Sequence, residues 1–266
     1  MPRTTKSPTT RKKAQDVPLL KITVQVWQRA AQRLEETLRD ACFRRDAYLA
    51  KVIEGELACL DREVSIPNSP EAYRYVTQEL AKLPRKAVTM RLPQALVERL
   101  AEICERKRIV RDAFFNRLFL LLVADAKTVD QLLFLGDDCE DWRRDLWSNH
   151  KNETDAFFEN GLFPLRAAQD PLWAIRMALE IWNEESGCSE KWVEPTSGRE
   201  ILINRTVGGA PTPIASIYAT PFSITFNNNP GASLLGMSCH LPDRLVPDSE
   251  AAKKENAASE ELLASL

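Results

Sequence analysis

The sequence predicts a mostly α fold with short β segments. Three observations predict it: two stretches in which apolar and polar residues alternate, helical spacing of apolar residues after each, and a repeat that relates the two. In Leu20-Lys21-Ile22-Thr23-Val24-Gln25-Val26 the apolar side chains fall on one face and Lys21, Thr23 and Gln25 on the other, the period of a half-buried strand. The second stretch turns Val88, Met90 and Leu92 inward and Ala87, Thr89 and Arg91 outward. After Trp27 and Pro93 the period lengthens. Ala30, Leu34, Leu38 and Ala41 recur at helical spacing, as do Leu96, Leu100, Ile103 and Cys104, with Pro93 suited to a first helical position. A short polar break follows, and Asp46 or Asp112 opens another apolar-periodic run, where its carboxylate can cap free backbone N–H groups. Leu49, Val52, Ile53 and Leu57 line the helix expected after Asp46. Phe115, Leu118, Phe119, Leu122 and Val123 line the one after Asp112.

The repeat has an offset of 66 residues. Set over Lys86–Asp125, the segment Leu20–Cys59 is identical at nine of 40 positions without a gap, including Thr23/Thr89, Arg45/Arg111, Asp46/Asp112 and Ala47/Ala113. Average residue usage would give about two or three. Two copies make a duplication, not a solenoid. One copy is too small to bury its apolar faces alone. Pairing the two strands antiparallel gives a two-stranded ribbon backed by four helices, which shows solvent one face carrying Lys21, Thr23, Gln25, Ala87, Thr89 and Arg91.

The composition, 44% hydrophobic and 28% charged over 266 residues, excludes wholesale disorder and fibrous classes. No run of about 18 apolar residues suggests a membrane span, and Met1–Asp16 lacks the apolar core of a secretory signal. A cytoplasmic protein is expected. Cys42, Cys59, Cys104, Cys139, Cys188 and Cys239 form no C-x-x-C pair, and His150 and His240 are the only histidines, so reduced thiols are expected, with no metal and no cofactor. The net charge of −2 conceals an asymmetry: residues 1–125 hold 24 Lys and Arg against 16 Asp and Glu, and residues 126–266 hold 12 against 22. A basic half suits a polyanion, although basic side chains also simply solvate helices.

The stretch Ala87-Val88-Thr89-Met90-Arg91-Leu92-Pro93, followed by Leu96, Arg99, Leu100 and then Arg111-Asp112-Ala113-Phe114-Phe115, resembles the ribbon-helix-helix superfamily of DNA-binding proteins, which includes the Arc, MetJ and CopG repressors. The resemblance spans roughly 80 residues over both copies and implies a tandem ribbon-helix-helix pseudo-dimer, one chain supplying both strands of a ribbon that enters the major groove of double-stranded DNA. It implies base contacts from Lys21, Thr23, Gln25, Ala87, Thr89 and Arg91, with Arg91 suited to guanine and Gln25 to adenine. It also implies phosphate contacts where the second helix of each copy begins, at Arg44, Arg45 and Ala47 and at Arg108, Arg111 and Ala113. The sequence departs from the family there, since Asp46 and Asp112 place negative charge beside the phosphate and neither turn has glycine. Ordinary helix capping is the other reading of these positions. The two copies differ at two of three outward positions, so an imperfect palindrome is expected as the site.

The expected organisation is a basic disordered arm at 1–16, the tandem DNA-binding domain at 17–125, a C-terminal α+β module at 126–246 and a flexible tail at 247–266. In the arm, Arg3, Lys6, Arg11, Lys12 and Lys13 either track phosphates or form a solvated tail. A helix at Glu71–Leu83 follows Pro67-Asn68-Ser69-Pro70 and lets copy two fold back. In the second half the spacing predicts helices at Val129–Leu135, Glu140–His150, Glu153–Glu159 and Leu172–Glu185, and strands at Ile201–Asn204, Ile214–Ala219 and Phe222–Phe226. Its acidic run Asp137–Asp141 and five tryptophans (Trp142, Trp147, Trp173, Trp182, Trp192) fit a core, or a surface for a protein partner, a small effector or a second copy on DNA.

Enzyme motifs are lacking: no G-x-S-x-G, no H-E-x-x-H, and Gly208-Gly209-Ala210 is not a phosphate loop. The expectation is a non-enzymatic transcriptional regulator of the repressor type. An antitoxin-like or plasmid relaxosome accessory protein, whose second half binds another protein, is the alternative, and a scaffold that has lost DNA binding is a third.

Overall fold

The computed structural model describes residues 18–133, 170–185, 190–193, 200–204, 212–213, 216–222 and 233–265. The fold is mostly helical with small antiparallel sheets. Strand β1 (Leu19–Trp27) leads into α1 (Gln28–Asp40) and α2 (Arg45–Glu63). Helix α3 (Pro70–Lys82) carries the chain back to β2 (Arg85–Pro93), α4 (Gln94–Arg106) and α5 (Arg111–Val123), and α6 (Ala126–Leu133) follows. The start of α3 is fixed locally, because Ser69 Oγ accepts the Ala72 N–H at 3.0 Å and Pro70 occupies the first turn.

β1 and β2 pair antiparallel along their whole length, with Thr23 opposite Thr89, Lys21 opposite Arg91 and Gln25 opposite Ala87. Ile22, Val24, Val26, Val88, Met90 and Leu92 are buried beneath. The alternation therefore reads as expected except at Leu20, which is 43% exposed although Leu92, opposite it, is fully buried. Pro93 closes its strand instead of opening the next helix, and Ala41 is the exposed C-cap of α1.

Both first helices end alike. The N–H groups of Cys42 and Phe43 bond back to the carbonyls of Arg39 and Leu38, and those of Arg108 and Ile109 to Glu105 and Cys104. This 5→2 and 6→1 closure puts one residue in the left-handed region, Cys42 at φ 56° and Arg108 at φ 48°. The turn geometry usually assigned to glycine is thus held without it, at positions 66 residues apart.

Helix α5 is buried on nearly every side from Ala113 to Leu121, since it lies against α1, β1, α3 and the later chain. That later chain supplies α7 (Trp173–Glu185), the strands β3 (Glu190–Val193), β4 (Glu200–Asn204) and β5 (Thr212–Pro213), 3₁₀ turns at Leu234–Met237 and Asp243–Leu245, and α8 (Glu250–Ser265). β3, β4 and β5 form a three-stranded antiparallel sheet.

Over 170–180, 216–222 and 233–246 the second half has no core of its own. Leu172, Leu179, Ile217, Tyr218, Phe222, Met237 and Leu241 bury their side chains in the same core as the repeats. Polar anchors fix this docking. Arg176 reaches Glu56, Glu63 at 3.4 Å and Asp170 at 3.2 Å. Tyr218 donates its hydroxyl to Glu56 and its N–H to Glu63 at 2.9 Å. Arg117, fully buried, donates to the carbonyls of Ile217 and Thr220 and lies 3.7 Å from the Phe222 ring centroid. Lacking a carboxylate partner in those bonds, its guanidinium is drawn down to about 10 by burial. A buried ion is tolerated when it is paired and hydrogen-bonded, which is why Arg176, Glu56, Glu63 and Tyr218 converge at one seam, whereas Arg117 Nη1 is buried without a hydrogen-bond partner among the described residues.

Several expectations give way here. Residues 217–219 form a turn, not the strand expected at Ile214–Ala219, because their backbone is engaged by Arg117 and Glu63. Phe222 is likewise outside any strand. Residues 250–265, expected as a flexible tail, form α8, whose start is capped by Ser249 Oγ on the Ala252 N–H at 3.0 Å and whose Ala, Glu and Lys content favours helix. The helices expected at Glu140–His150 and Glu153–Glu159, the run Asp137–Asp141, Trp142, Trp147 and the arm at 1–16 lie outside the described residues.

Candidate nucleic-acid interface

In an antiparallel pair each residue directs its N–H and C=O to the same edge, so alternate residues face the partner strand and the outside. On this ribbon the residues whose side chains face solvent also present their backbone to the outer edges. Lys21, Thr23, Ala87 and Arg91 are exposed, and Gln25 and Thr89 are half-buried. At the centre, the Thr23 and Thr89 hydroxyls meet at 3.0 Å, the close approach of a pair without backbone bonds between its members.

The outer edges are sealed by the opposite repeat. Asp46, in the first turn of α2, accepts the N–H of Arg91 at 3.0 Å, and Arg45 Nη2 donates to the Thr89 carbonyl at 2.6 Å. Sixty-six residues on, Asp112 accepts the N–H of Gln25 at 3.2 Å and Arg111 Nη2 donates to the Thr23 carbonyl at 3.0 Å. Asp46 and Asp112 therefore do not cap their own helices, which have no side-chain cap. Each instead satisfies a strand-edge donor that would otherwise be left open.

The symmetry of these edge bonds ends at Asn116. Asn116 donates to the Gln25 carbonyl at 2.8 Å and accepts the Trp27 N–H at 2.6 Å. Its counterpart is Ala50, and the counterpart of Trp27 is Pro93, which has no N–H to offer. Ala50 and Pro93, both smaller than their counterparts, border an open cleft of about 830 Å³ that Arg39, Phe43, Arg44 and Arg91 also line.

The twelve residues singled out for DNA thus fare differently. The six outward ribbon residues share one face. Arg44 and Ala47 are exposed at the start of α2. Ala113 does not match Ala47: it is fully buried and its N–H is bonded to the Val110 carbonyl at 2.8 Å, so it cannot reach a phosphate. Arg45 and Arg111 are turned to strand carbonyls and to their neighbouring aspartates, and Arg108 Nη1 donates to the Asn68 carbonyl at 3.2 Å. The sequence reading missed Asn116 and misplaced both aspartates. Their identity at one offset within the repeat was visible, but their partners lie 45 and 87 residues away.

Among the described residues, no group of three or more His, Cys, Asp and Glu side chains is placed to share a metal ion, and no helix is long and apolar enough to cross a membrane. Cys42, Cys59, Cys104 and Cys239 are free thiols, and burial pushes Cys104 and Cys239 up to about 12, where they are inert. Compared with protein-family models, curated proteins and solved structures, the chain matches none.

Proposed function

We propose that this chain is a sequence-specific double-stranded DNA-binding regulator of the repressor type, a fused ribbon-helix-helix pseudo-dimer that reads a major groove with β1 and β2. The observation that carries this reading is the cross-strand pair Lys21 and Arg91. Two cations stand directly opposite each other on the exposed face, and neither strand contains an acidic residue to separate them. Like charges so placed cost stability in the free protein, and a polyanion laid across the face relieves that cost. A major groove admits a two-stranded ribbon and offers its base edges to side chains at every second residue. Arg91 then suits the O6 and N7 of guanine, Gln25 the N6 and N7 of adenine, and Thr23 and Thr89 sit at the pseudo-two-fold centre.

Phosphate contacts are assigned to copy one, where Arg44 and the start of α2 remain at the surface. The second half, docked on α2 and α5, is the part that senses or recruits. Selection of bound duplexes from a random pool tests the reading. It should enrich an imperfect palindrome with a guanine in one half and an adenine in the other, whereas recovery no better than the starting pool would defeat it.

A further inference from the structure

We propose that Asp46 and Asp112, with Asn116, are positioning residues that make the two half-sites unequal in stringency, an inference that rests on the DNA reading above. The two backbone amides gripped by the aspartates belong to Arg91 and Gln25, the residues assigned to bidentate base contacts. Bidentate pairing needs two hydrogen bonds aligned at once, so a side chain reads a base only as sharply as its backbone is held. The hold is uneven. Four bonds secure the edge of β1: Arg111 on the Thr23 carbonyl, Asp112 on the Gln25 N–H, and Asn116 on both the Gln25 carbonyl and the Trp27 N–H. Two secure β2, Arg45 on the Thr89 carbonyl and Asp46 on the Arg91 N–H. Gln25 is fixed at both backbone groups and Arg91 at one. Ala50 and Pro93 leave the end of β2 without the third and fourth bonds and beside the open cleft. The half-site under Gln25 is accordingly read stringently, and the half-site under Arg91 accommodates alternatives.

The test uses the full chain and two readouts. The first is amide hydrogen exchange in the free protein; the second is the preference for each base in each half of a selected duplex. Asp46→Ala should expose the Arg91 amide and lower discrimination in the Arg91 half about tenfold, one bidentate pair's share, while leaving the Gln25 half intact. Asp46→Asn keeps an acceptor oxygen, so it should preserve both readouts while binding every duplex more tightly for want of one negative charge. Asn116→Ala should reduce the Gln25 half to the stringency of the other. Ala50→Asn, which places a donor near the Arg91 carbonyl in a position with room for it, should raise the Arg91 half. Equal losses on all duplexes, or unchanged preference despite altered exchange, would overturn the positioning role while the DNA reading stands. Failure of the unmodified chain to select any duplex would overturn both.

Discussion

Asp112 holds the backbone N–H of Gln25 at 3.2 Å, across 87 residues of sequence, and its repeat counterpart Asp46 holds that of Arg91 at 3.0 Å. Each repeat's second helix thereby closes the open edge of the other repeat's strand. The ribbon is braced by side chains that never enter it, which leaves its upper face clear.

Under the proposed DNA reading, Arg91→Ala removes a guanine contact. Specific affinity should fall by about 1–3 kcal/mol, with a smaller loss on random duplexes. Fluorescence anisotropy on selected and scrambled duplexes measures both. Equal losses on the two would make Arg91 a phosphate contact and not a reader.

The left-handed turn at Cys42 offers a test of the fold. A non-glycine residue there bears a cost of about 1–2 kcal/mol that glycine avoids. Because glycine also adds freedom to the unfolded chain, Cys42→Gly should raise the unfolding free energy by a net amount of about 0.5–1 kcal/mol in urea titrations. A decrease would show that Cys42 is not left-handed in solution.

Arg176 links α7 to α2 through Glu56, which is 3% exposed. Arg176→Ala leaves that carboxylate buried without its cation and should cost about 3 kcal/mol of stability. Glu56→Gln retains an oxygen for the Tyr218 hydroxyl and should cost less. Urea midpoints that do not distinguish the two variants would place the docking energy elsewhere.

His240 is buried, and burial holds its imidazole below the ordinary value of 6.5, against the opposing pull of the Ile66 carbonyl and Asp243. The folded protein therefore carries the neutral ring at pH values where the unfolded chain is already protonated. The unfolded state binds more protons in that window, so stability falls as pH drops below about 6.5, by up to about 1.4 kcal/mol per unit. His240→Gln should flatten this part of the curve. Identical losses for both proteins between pH 7 and 5.5 would exclude His240 as a cause.

Local pattern carried much of this structure. The alternation around Thr23 and Thr89 defined which side chains the ribbon shows, and the shared Arg-Asp-Ala at 45–47 and 111–113 marked where each second helix begins. What the aspartates bind was not legible, since an aspartate at a helix start looks like a cap until a distant strand edge arrives to compete for it. The turn at 217–219 was hidden in the same way. Its Ile and Tyr favour a strand, but Arg117, about a hundred residues earlier, takes the Ile217 carbonyl and fixes a different backbone. In α8 the reverse occurred, with local composition and the Ser249 cap sufficient to form a helix where only a tail was anticipated.

The most direct test of the ribbon as the DNA-reading surface is an NMR titration of the full chain with a selected duplex, followed at the Thr23 and Thr89 methyls and the Gln25 and Arg91 side-chain N–H signals. The account predicts that these four shift most and saturate together at one duplex per chain. Saturation with the shifts confined to helices, and those four signals unmoved, would contradict it.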